Sequence, residues 1–387
     1  MSVAVLHLST QRFPLTGGIT EVLSNLLPGL AGCGYRMFLA TEFFPGETPS
    51  MNRYESVPLK KLPSYAMVEN DRLGYERLLD LNLRVLQARF KYSVIHAHWA
   101  YMAGYAAVLF GKRKGVPVVI SCHGLDLAVN RELEGDIREK TELALRQAEA
   151  VIVPSKGLYR LARQIRGSDD GLHLIPHGVR RPGDQLPVSG VGGNPVKKPY
   201  ILAVGHFDRV KGFDLLIKAF ELIADEIEPV KLVVVSGTGR GVHDIFGFSL
   251  ADRLKGRVIF QHRRSHERIL ELIKRAELLA LPSREEGFGI VVLEAMAAGT
   301  AVVAFNVGVA ADIICDGQNG LLVEKQDYRQ LARAIKRVLN DAKLAGYLAD
   351  NALETVKRYG WSTVIPQYNR VYQGIMNKPG EKDYADF

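Results

Sequence analysis

The sequence predicts an α/β protein of two domains, each built on a parallel sheet with helices on both faces. Three observations carry this prediction. Short apolar runs alternate with amphipathic segments in both halves of the chain, which is the pattern of parallel strands joined by helices. One long Gly- and Pro-rich stretch, residues 180–199, separates the halves. The 387 residues, 47% of them hydrophobic, suffice for about two cores.

The first half contains apolar runs that fit buried strands. These runs span residues 3–8, 35–40, 94–98, 116–121, 150–153 and 172–175. Helices are predicted between them, including residues 19–30 and a long amphipathic helix at residues 73–90. Residues 41–70 are rich in Pro, Gly and Ser, so we expect an irregular segment there.

The second half repeats the alternation without repeating the sequence. Strands are predicted at residues 200–205, 232–236, 258–261, 278–281, 301–305 and 321–323. Helices are predicted at residues 213–224, 266–275, 290–298, 327–340 and 342–358, followed by a last amphipathic helix that runs to about residue 376. We therefore place the domain boundary within the Gly- and Pro-rich stretch, between residues 185 and 186.

The composition of the chain favours some classes of function over others. A net charge of +8 and a pI near 9.2 permit attraction to nucleic acid, acidic lipid or phosphorylated substrates. Nucleic acid is disfavoured, because no helix-turn-helix, zinc finger or aromatic-interleaved basic run is present. Neither a signal peptide nor a membrane-spanning run is evident. Three scattered cysteines give no metal spacing, so we expect a cytoplasmic protein, with peripheral contact to an anionic inner membrane face as a further expectation.

The stretch from residue 278 to residue 305 predicts a strand, a glycine loop, a helix and a second strand. Gly287, Phe288 and Gly289 form the loop, and the helix opens at Ile290. Backbone amides at a helix N-terminus are unpaired donors, and the helix dipole favours an anion there. The two glycines would let a large anionic group approach the backbone.

Two carboxylates flank these amides. Glu286 precedes the helix and Glu294 lies inside it. One carboxylate in the loop and one a little over a turn along the helix could bracket a phosphate and hold hydroxyl groups on either side. This arrangement suits a nucleotide-sugar, with the sugar near Glu286, the diphosphate at the amides and the ribose near Glu294.

The motif PSREEGFGIVVLEAMAAG resembles the signature of the retaining, two-domain glycosyltransferases of family four. The resemblance implies a GT-B fold: two Rossmann-like domains that face each other across a cleft, with a C-terminal helix that crosses back to the N-terminal domain. Residues 362–387 therefore join residues 1–185 in an acceptor domain, and residues 186–361 form the donor domain. It also implies retention of configuration without a metal ion, and no cofactor besides the nucleotide-sugar.

The segment GHFDRVKG resembles the family motif G-R-L-x-x-x-K-G. Lys211 matches the lysine that holds the donor diphosphate. The usual arginine is His206 in this chain, and either His206 or Arg209 is expected to supply the second cation. This departure leaves the choice open.

The first domain supplies further candidates by resemblance. Gly17 and Gly18 follow the first strand and match a glycine loop that faces the donor phosphate and the reacting sugar. His123 follows the strand at residues 116–121 and matches the histidine beside the donor sugar. Asp126 is expected to orient His123 or to contact the acceptor.

A second group, His96-Ala97-His98-Trp99, places two histidines on one face of a strand. No third metal ligand is evident near them in the sequence, so no metal site is predicted. We expect His98 and Trp99 to line the acceptor cleft and His96 to be structural.

The predicted function is sugar transfer from a nucleotide-sugar to a hydroxyl of a saccharide or lipid-linked acceptor, in cell-surface polysaccharide or lipopolysaccharide synthesis. Glu286, His123 and Lys211 are the expected catalytic residues. Two alternatives stay open: another enzyme on the same fold, such as an epimerase or phosphorylase, and a non-catalytic relative that binds sugar or lipid. His262 and the segment from Gly308 to Asp312 also depart from the family pattern, which leaves the selectivity for base and sugar open.

Overall fold

The computed structural model describes residues 2–12, 18–42, 55–58, 72–128, 135–180, 196–237, 251–262 and 264–377. The chain divides into two compact units. The first unit comprises Met1–Leu15, Ile19–Pro176 and Trp361–Phe387, and the second comprises Thr16–Gly18 and His177–Gly360. Within the predicted linker, residues 181–195 lie outside the described residues. Each unit is an α/β layer structure with a parallel sheet, which confirms the predicted fold class.

The first unit is built on a seven-stranded sheet with the order β3-β2-β1-β4-β5-β6-β7, and its strands pair in parallel. The strands are β1 (Ala4–Arg12), β2 (Arg36–Glu42), β3 (Glu55–Pro58), β4 (Val94–His98), β5 (Val118–Ser121), β6 (Ala150–Val153) and β7 (Leu172–Leu174). The order reverses between β1 and β4. In doubly wound sheets such a reversal opens a crevice at the carboxyl ends of the strands, where ligands bind.

Helices connect these strands. They are α1 (Gly18–Gly32), α2 (Arg72–Phe90), α3 (Tyr105–Lys114), α4 (Leu125–Ala128), α5 (Asp136–Gln147) and α6 (Lys156–Arg166). A kinked helical turn, Ala100–Gly104, precedes α3 and contains non-helical backbone angles at Tyr101 and Met102.

The C-terminal helix of the described chain, Trp361–Met376, belongs to the first unit. Its buried residues Val364, Tyr368 and Tyr372 pack in one apolar cluster with Val5 of β1 and Leu26 of α1. The predicted return of the last helix to the N-terminal half is therefore confirmed.

The second unit has a six-stranded parallel sheet with the order β10-β9-β8-β11-β12-β13. Its strands are β8 (Tyr200–Val204), β9 (Lys231–Ser236), β10 (Val258–His262), β11 (Leu278–Leu281), β12 (Ala301–Phe305) and β13 (Leu321–Val323). Strands β11 and β12 are buried at every residue, as apolar strands covered on both faces must be. The order reverses between β8 and β11.

The helices of this unit follow the same alternation. They are α7 (Phe213–Ile223), α8 (His266–Arg275), α9 (Ile290–Ala297), α10 (Gly308–Ile313), α11 (Tyr328–Asn340) and α12 (Ala342–Val356). The C-terminal helix Trp361–Met376 is α13 in this numbering.

Two local predictions need correction. Residues 41–70 were expected to be irregular throughout, but Glu55–Pro58 pairs with β2 as the edge strand of the first sheet. Residues 43–54 and 59–71 lie outside the described part of the chain. The short helix α10 was not predicted, because six residues carry too little periodicity to identify a helix. In the described residues, no helix has the length and apolar character that crossing a membrane requires.

Two loops of the second unit meet at the reversal between β8 and β11. Gly212 has φ of +65°, and a Cβ atom added there would lie 1.9 Å from the carbonyl oxygen of Pro282. Only glycine combines that backbone conformation with so close an approach. Gly212 thus sets the spacing between the loop after β8 and the loop after β11.

Gly212→Ala should destabilise the protein by about 1–3 kcal/mol, because the new methyl group collides with backbone and the conformation is strained. Urea unfolding measures the change. The matched control is Gly346→Ala in α12, where an added Cβ meets nothing within 4 Å. That substitution should be neutral or stabilising by up to about 1 kcal/mol. Equal stability of the two variants would contradict this account of the loop contact.

Candidate functional site

Most of the predicted donor-binding residues of the second unit lie on two adjoining loops, and Ile290 and Glu294 lie on α9. The first loop follows β8 and contains a short 3-10 turn, Arg209–Lys211, that ends at Gly212. The Asp208 carboxylate accepts a hydrogen bond from the Lys211 amide at 2.9 Å and so caps this turn. The second loop follows β11 and carries Glu286. Because β8 and β11 are neighbours in a parallel sheet, both loops emerge at the same edge.

Lys211 and Glu286 form an ion pair across the two loops. Lys211 Nζ lies 2.6 Å from Glu286 Oε1, and the Glu286 side chain is only 7% exposed. Ser283 Oγ also donates to Glu286 Oε1 at 2.8 Å. An ammonium group has three N–H donors, and Glu286 takes one of them, so Lys211 keeps donor capacity for an incoming anion.

A second ion pair holds the same loops together. The Arg284 guanidinium binds both carboxylate oxygens of Asp214 at 2.7 Å, and it also donates to the Arg209 carbonyl at 2.7 Å. Burial opposes ionisation of Asp214, but the hydrogen bonds from Arg284 outweigh it and hold the pKa of Asp214 below its ordinary value. Bidentate geometry of this kind fixes orientation as well as distance.

The glycine loop ends at the N-terminus of α9. Gly289 has φ of +85° and stands at the N-cap, where it has no side chain to satisfy the first-turn amides. Phe288 is buried, and its carbonyl accepts from the Val309 amide at the start of α10. A Cβ at Gly308 would lie 2.6 Å from Glu286 Cβ, so α10 packs directly against the loop that bears Glu286.

Glu294 lies within α9 and is also only 7% exposed. Its Oε1 atom is 2.7 Å from Nε2 of His266, the first residue of α8. The sequence predicted the helix that begins at His266 but not this contact. His266 is therefore a site residue that sequence reasoning missed, and the signal was its position directly after a strand and loop.

The two candidates for the second cation are both exposed. His206 and Arg209 lie on the loop after β8, while Phe207 between them is buried. A Cβ at Gly237 would lie 3.2 Å from the His206 ring, which places this ring beside the end of β9. The choice between His206 and Arg209 stays a prediction.

In the first unit, Asp126 organises the turn that carries His123. Its carboxylate accepts from the amides of His123 at 3.1 Å, Gly124 at 2.9 Å and Ala100 at 3.3 Å. Burial raises the pKa of Asp126, although these amide hydrogen bonds oppose the rise. The arrangement fits the orienting role considered for Asp126 better than acceptor contact, because both oxygens already accept hydrogen bonds.

His98 and Trp99 end β4 and lead into the kinked turn. His98 is fully buried, whereas Trp99 is half-buried. Trp99 has φ of +91°, a conformation that costs a non-glycine residue about 1–3 kcal/mol. Strain of this size is found at functional sites, so it agrees with the expected role of Trp99 in acceptor binding. Of the predicted glycine pair, Gly18 begins α1, and Gly17 lies outside the described residues.

The structure supplies the third histidine that the sequence did not reveal. Ligand atoms of His7, His96 and His98 lie within 4.8 Å of one another, so these residues could hold a metal ion. His7 lies on β1 in register with His96 on β4. Both nitrogens of His96 are already hydrogen-bonded, to Tyr372 at 2.6 Å and to Ser121 at 2.7 Å. A metal ion would have to displace one of these bonds.

Two family descriptions cover most of the chain. Residues 16–181 match Glycosyltransferase Family 4, and residues 188–355 match Glycosyl transferases group 1.

A sequence relative is the D-inositol 3-phosphate glycosyltransferase of Acidothermus cellulolyticus, 30% identical over 305 residues that cover 74% of this chain and 68% of the relative. Sucrose-phosphate synthase from Thermosynechococcus elongatus has a similar structure, with a TM-score of 0.77, 24% identity and coverage of 97% and 100% of the two chains. The Anabaena protein HepE in complex with UDP-glucose has a TM-score of 0.72, 21% identity and coverage of 96% and 99%.

Lys211→Met should destabilise the protein by about 1–3 kcal/mol, because it leaves the nearly buried Glu286 carboxylate without its cation. The double variant Lys211→Met/Glu286→Gln should recover most of this loss, since no charge is then stranded. Urea unfolding of the four proteins in this double-mutant cycle measures the coupling. Lys325→Met is the control, because Lys325 and Glu285 form an exposed pair at 3.7 Å. Additive effects at Lys211 and Glu286 would show that the pair is not coupled.

Proposed function

The chain belongs to the family 4 and group 1 glycosyltransferases, and on that premise we propose that it transfers a sugar from a nucleotide-sugar to a hydroxyl acceptor with retention. The observation that carries the proposal is the Lys211–Glu286 pair beside the open N-terminus of α9, at the strand-order reversal of the second sheet. A cation, free amides and a carboxylate at one such point suit a ligand that contains both phosphate and hydroxyl groups.

The diphosphate is proposed to bind Lys211, the amides of Phe288 to Ile290 and one exposed cation, His206 or Arg209. Negative charge grows on this diphosphate as the bond to the sugar breaks. Donors already held in place stabilise that charge without reorganisation. Since the protein itself supplies these positive groups, we propose that the reaction needs no metal ion and no cofactor besides the nucleotide-sugar.

Glu286 is proposed to hold hydroxyls of the transferred sugar. Its Oε1 atom is engaged by Lys211 and Ser283, which fixes the orientation of the carboxylate before the donor arrives. His123 is the proposed catalytic residue of the first unit, on the strength of the family resemblance. The leaving phosphate is a suitable acceptor for the proton of the incoming hydroxyl, so a separate general base is not required.

Glu294 is proposed to bind the ribose hydroxyls. His266 at 2.7 Å holds one of its oxygens and leaves the other for a ligand. This role is one of binding, not of chemistry, because the ribose does not change charge during transfer.

The acceptor is proposed to be a saccharide or lipid-linked saccharide of cell-surface polysaccharide or lipopolysaccharide synthesis, bound by the first unit through Trp99. Of the other two predicted acceptor residues, His98 is fully buried and Asp126 holds the turn that carries His123, so both are proposed to support this surface from behind. The name of the Acidothermus relative adds inositol phosphate to the acceptors to be tested. A thermal-shift screen against nucleotide-sugars identifies the donor, since ligand at a hundred times its dissociation constant adds about 2.7 kcal/mol.

Incubation with donor alone and with donor plus acceptor then separates the proposal from its alternatives. A glycosylated product that forms only with acceptor supports transfer. An epimerase would convert the donor alone, a phosphorylase would require phosphate, and a binding protein would leave the donor unchanged.

Glu286→Gln should lower kcat by about 10- to 150-fold with a smaller change in donor KM, because a contact to the sugar strengthens as the sugar gains charge. Glu294→Gln should raise donor KM with a smaller effect on kcat, since a ribose contact acts on ground and transition states alike. Steady-state kinetics separates the two. Glu285→Gln is the control, because this neighbouring carboxylate is 57% exposed. The placement of sugar and ribose is wrong if both variants show the same kinetic defect. It is also wrong if Glu286→Gln mainly raises donor KM while Glu294→Gln mainly lowers kcat.

We also propose weak attachment of the first unit to anionic membrane surfaces through α2. Three large apolar side chains of this helix are more than half exposed: Leu73 at 62%, Leu81 at 54% and Val85 at 59%. They lie at spacings of eight and four residues and so form a stripe along one side of the helix. The chain's net charge of +8 adds attraction to acidic lipid.

In sedimentation with anionic vesicles at low salt, the wild type should pellet, and pelleting should fall as salt rises. Leu81→Ser/Val85→Ser should weaken binding by about tenfold or more, because less apolar surface enters the interface. Leu222→Ser removes an apolar side chain of similar exposure, 47%, from the second unit and should bind like the wild type. Absence of wild-type pelleting at low salt would remove the membrane proposal.

A further inference from the structure

A line of polar side chains crosses the face of the first sheet that α13 covers. Its centre is His96 on β4. His96 Nε2 is 2.7 Å from Ser121 Oγ on β5, and His96 Nδ1 is 2.6 Å from the Tyr372 hydroxyl on α13. Both nitrogens of this fully buried ring are thus engaged.

From Tyr372 the line continues through two more rings to His123. The Tyr372 hydroxyl is 3.2 Å from His7 Nε2, and His7 Nδ1 is 2.9 Å from His98 Nε2. His98 Nδ1 is 3.1 Å from His123 Nε2. We refer to the whole series as the histidine chain: Ser121, His96, Tyr372, His7, His98 and His123.

The interior position of the histidine chain disfavours a charge on its rings. Burial, and then the neighbouring His98, lower the pKa of His7 well below its ordinary value. Burial lowers the pKa of His96 in the same way and that of His123 to about 3. Burial also raises the pKa of Tyr372, so its hydroxyl keeps its proton. His7, His96, His123 and Tyr372 are therefore neutral. His98 is fully buried between His7 and His123, where a charge would be costly, so we take each contact as a hydrogen bond between neutral groups.

A neutral imidazole has one N–H and one acceptor nitrogen, and a tyrosine hydroxyl donates one proton. If His96 donates from Nδ1 to Tyr372, then Tyr372 keeps its own proton hydrogen-bonded in the series only by donating to His7 Nε2. His7 then donates from Nδ1 to His98, and His98 donates from Nδ1 to His123. If the direction is reversed, each ring donates from Nε2 instead. A switch of direction between two rings leaves two donors or two lone pairs facing each other, and a switch at Tyr372 leaves its O–H without an acceptor in the series. Each of these faults costs about 1–3 kcal/mol in a buried site.

We propose that the histidine chain exists in only these two arrangements, so that His7, His96, His98 and His123 share one tautomer. The direction of hydrogen bonding along the histidine chain therefore determines whether Nδ1 of His123 carries a proton or a lone pair. Tyr372 is a positioning residue in this scheme, because its hydroxyl passes the direction of donation from the His96 end to the His123 end. The consequence for catalysis rests on the proposed role of His123, but the shared tautomer does not.

The test is ¹⁵N NMR of the protein with labelled histidine rings, in which long-range ¹H–¹⁵N correlations identify the protonated nitrogen of each ring. Single substitutions assign the signals. The proposal predicts that all four rings are neutral at pH 7.5 and show the same tautomer. Mixed tautomers, a charged ring in the chain, or a metal ion that copurifies on His7, His96 and His98 would overturn it.

Tyr372→Phe keeps the aromatic ring and removes the hydroxyl that links His96 to His7 in the histidine chain. A bare lone pair is tolerated better in a buried site than a bare N–H. His96 should therefore adopt the Nε2–H form and donate to Ser121, while His7, His98 and His123 adopt the Nδ1–H form. The variant is thus expected to show two tautomers where the wild type shows one.

Tyr35→Phe is the matched control, because the Tyr35 hydroxyl donates to Asn369 Oδ1 of the same helix at 2.7 Å and lies outside the chain. It should leave all four tautomers unchanged. Loss of the shared tautomer in Tyr35→Phe, or a uniform tautomer in Tyr372→Phe, would overturn the proposal.

If the His123 tautomer differs between wild type and Tyr372→Phe, kcat should fall with donor KM little changed. If the wild type binds the donor but transfers no sugar, the proposed function is wrong, while the shared tautomer is not affected.

Discussion

The ion pair between Lys211 and Glu286 is the interaction on which the second unit's site depends. It connects the loop after β8 to the loop after β11, two segments that are 75 residues apart in the chain. Breaking it strands a carboxylate that is only 7% exposed, so the pair stabilises the contact between the two loops. Gly212 against Pro282 and Arg284 on Asp214 then hold the same two loops at a fixed spacing.

The position of this pair follows from sheet topology. The strand order reverses between β8 and β11, and the chain therefore leaves the two neighbouring strands in opposite directions around the sheet. Polar side chains can meet in the opening that results. The first sheet reverses between β1 and β4, and polar side chains gather there too, where His7 lies in register with His96. Both units thus place ionisable groups at the same topological position.

Sequence patterns predicted much of the fold, because strand and helix periodicities are local. The strands Val94–His98, Leu278–Leu281 and Ala301–Phe305 and the helix His266–Arg275 were predicted at their observed bounds. The edge strand Glu55–Pro58 was missed, since its four residues depend on pairing with β2 for their structure.

Contacts between distant residues were harder to predict than elements. Lys211 and Glu286 were each identified as site residues, but their pairing depends on loop geometry that no local pattern encodes. His266 and His7 were missed for the same reason: His7 meets His96 through strand register, and His266 meets Glu294 through the packing of α8 beside α9. The roles assigned to the predicted site residues stay predictions until donor and acceptor are bound.

The central claim is that Lys211 binds the diphosphate of the donor, and calorimetric titration with nucleoside diphosphates tests it most directly. The wild type should bind at least one of them. Lys211→Ala should weaken that binding by about 1.5–3 kcal/mol, the range for a hydrogen bond to a charged group. Lys325→Ala, which removes an exposed lysine beside the same loop, should bind like the wild type. Unchanged affinity in Lys211→Ala would contradict the account.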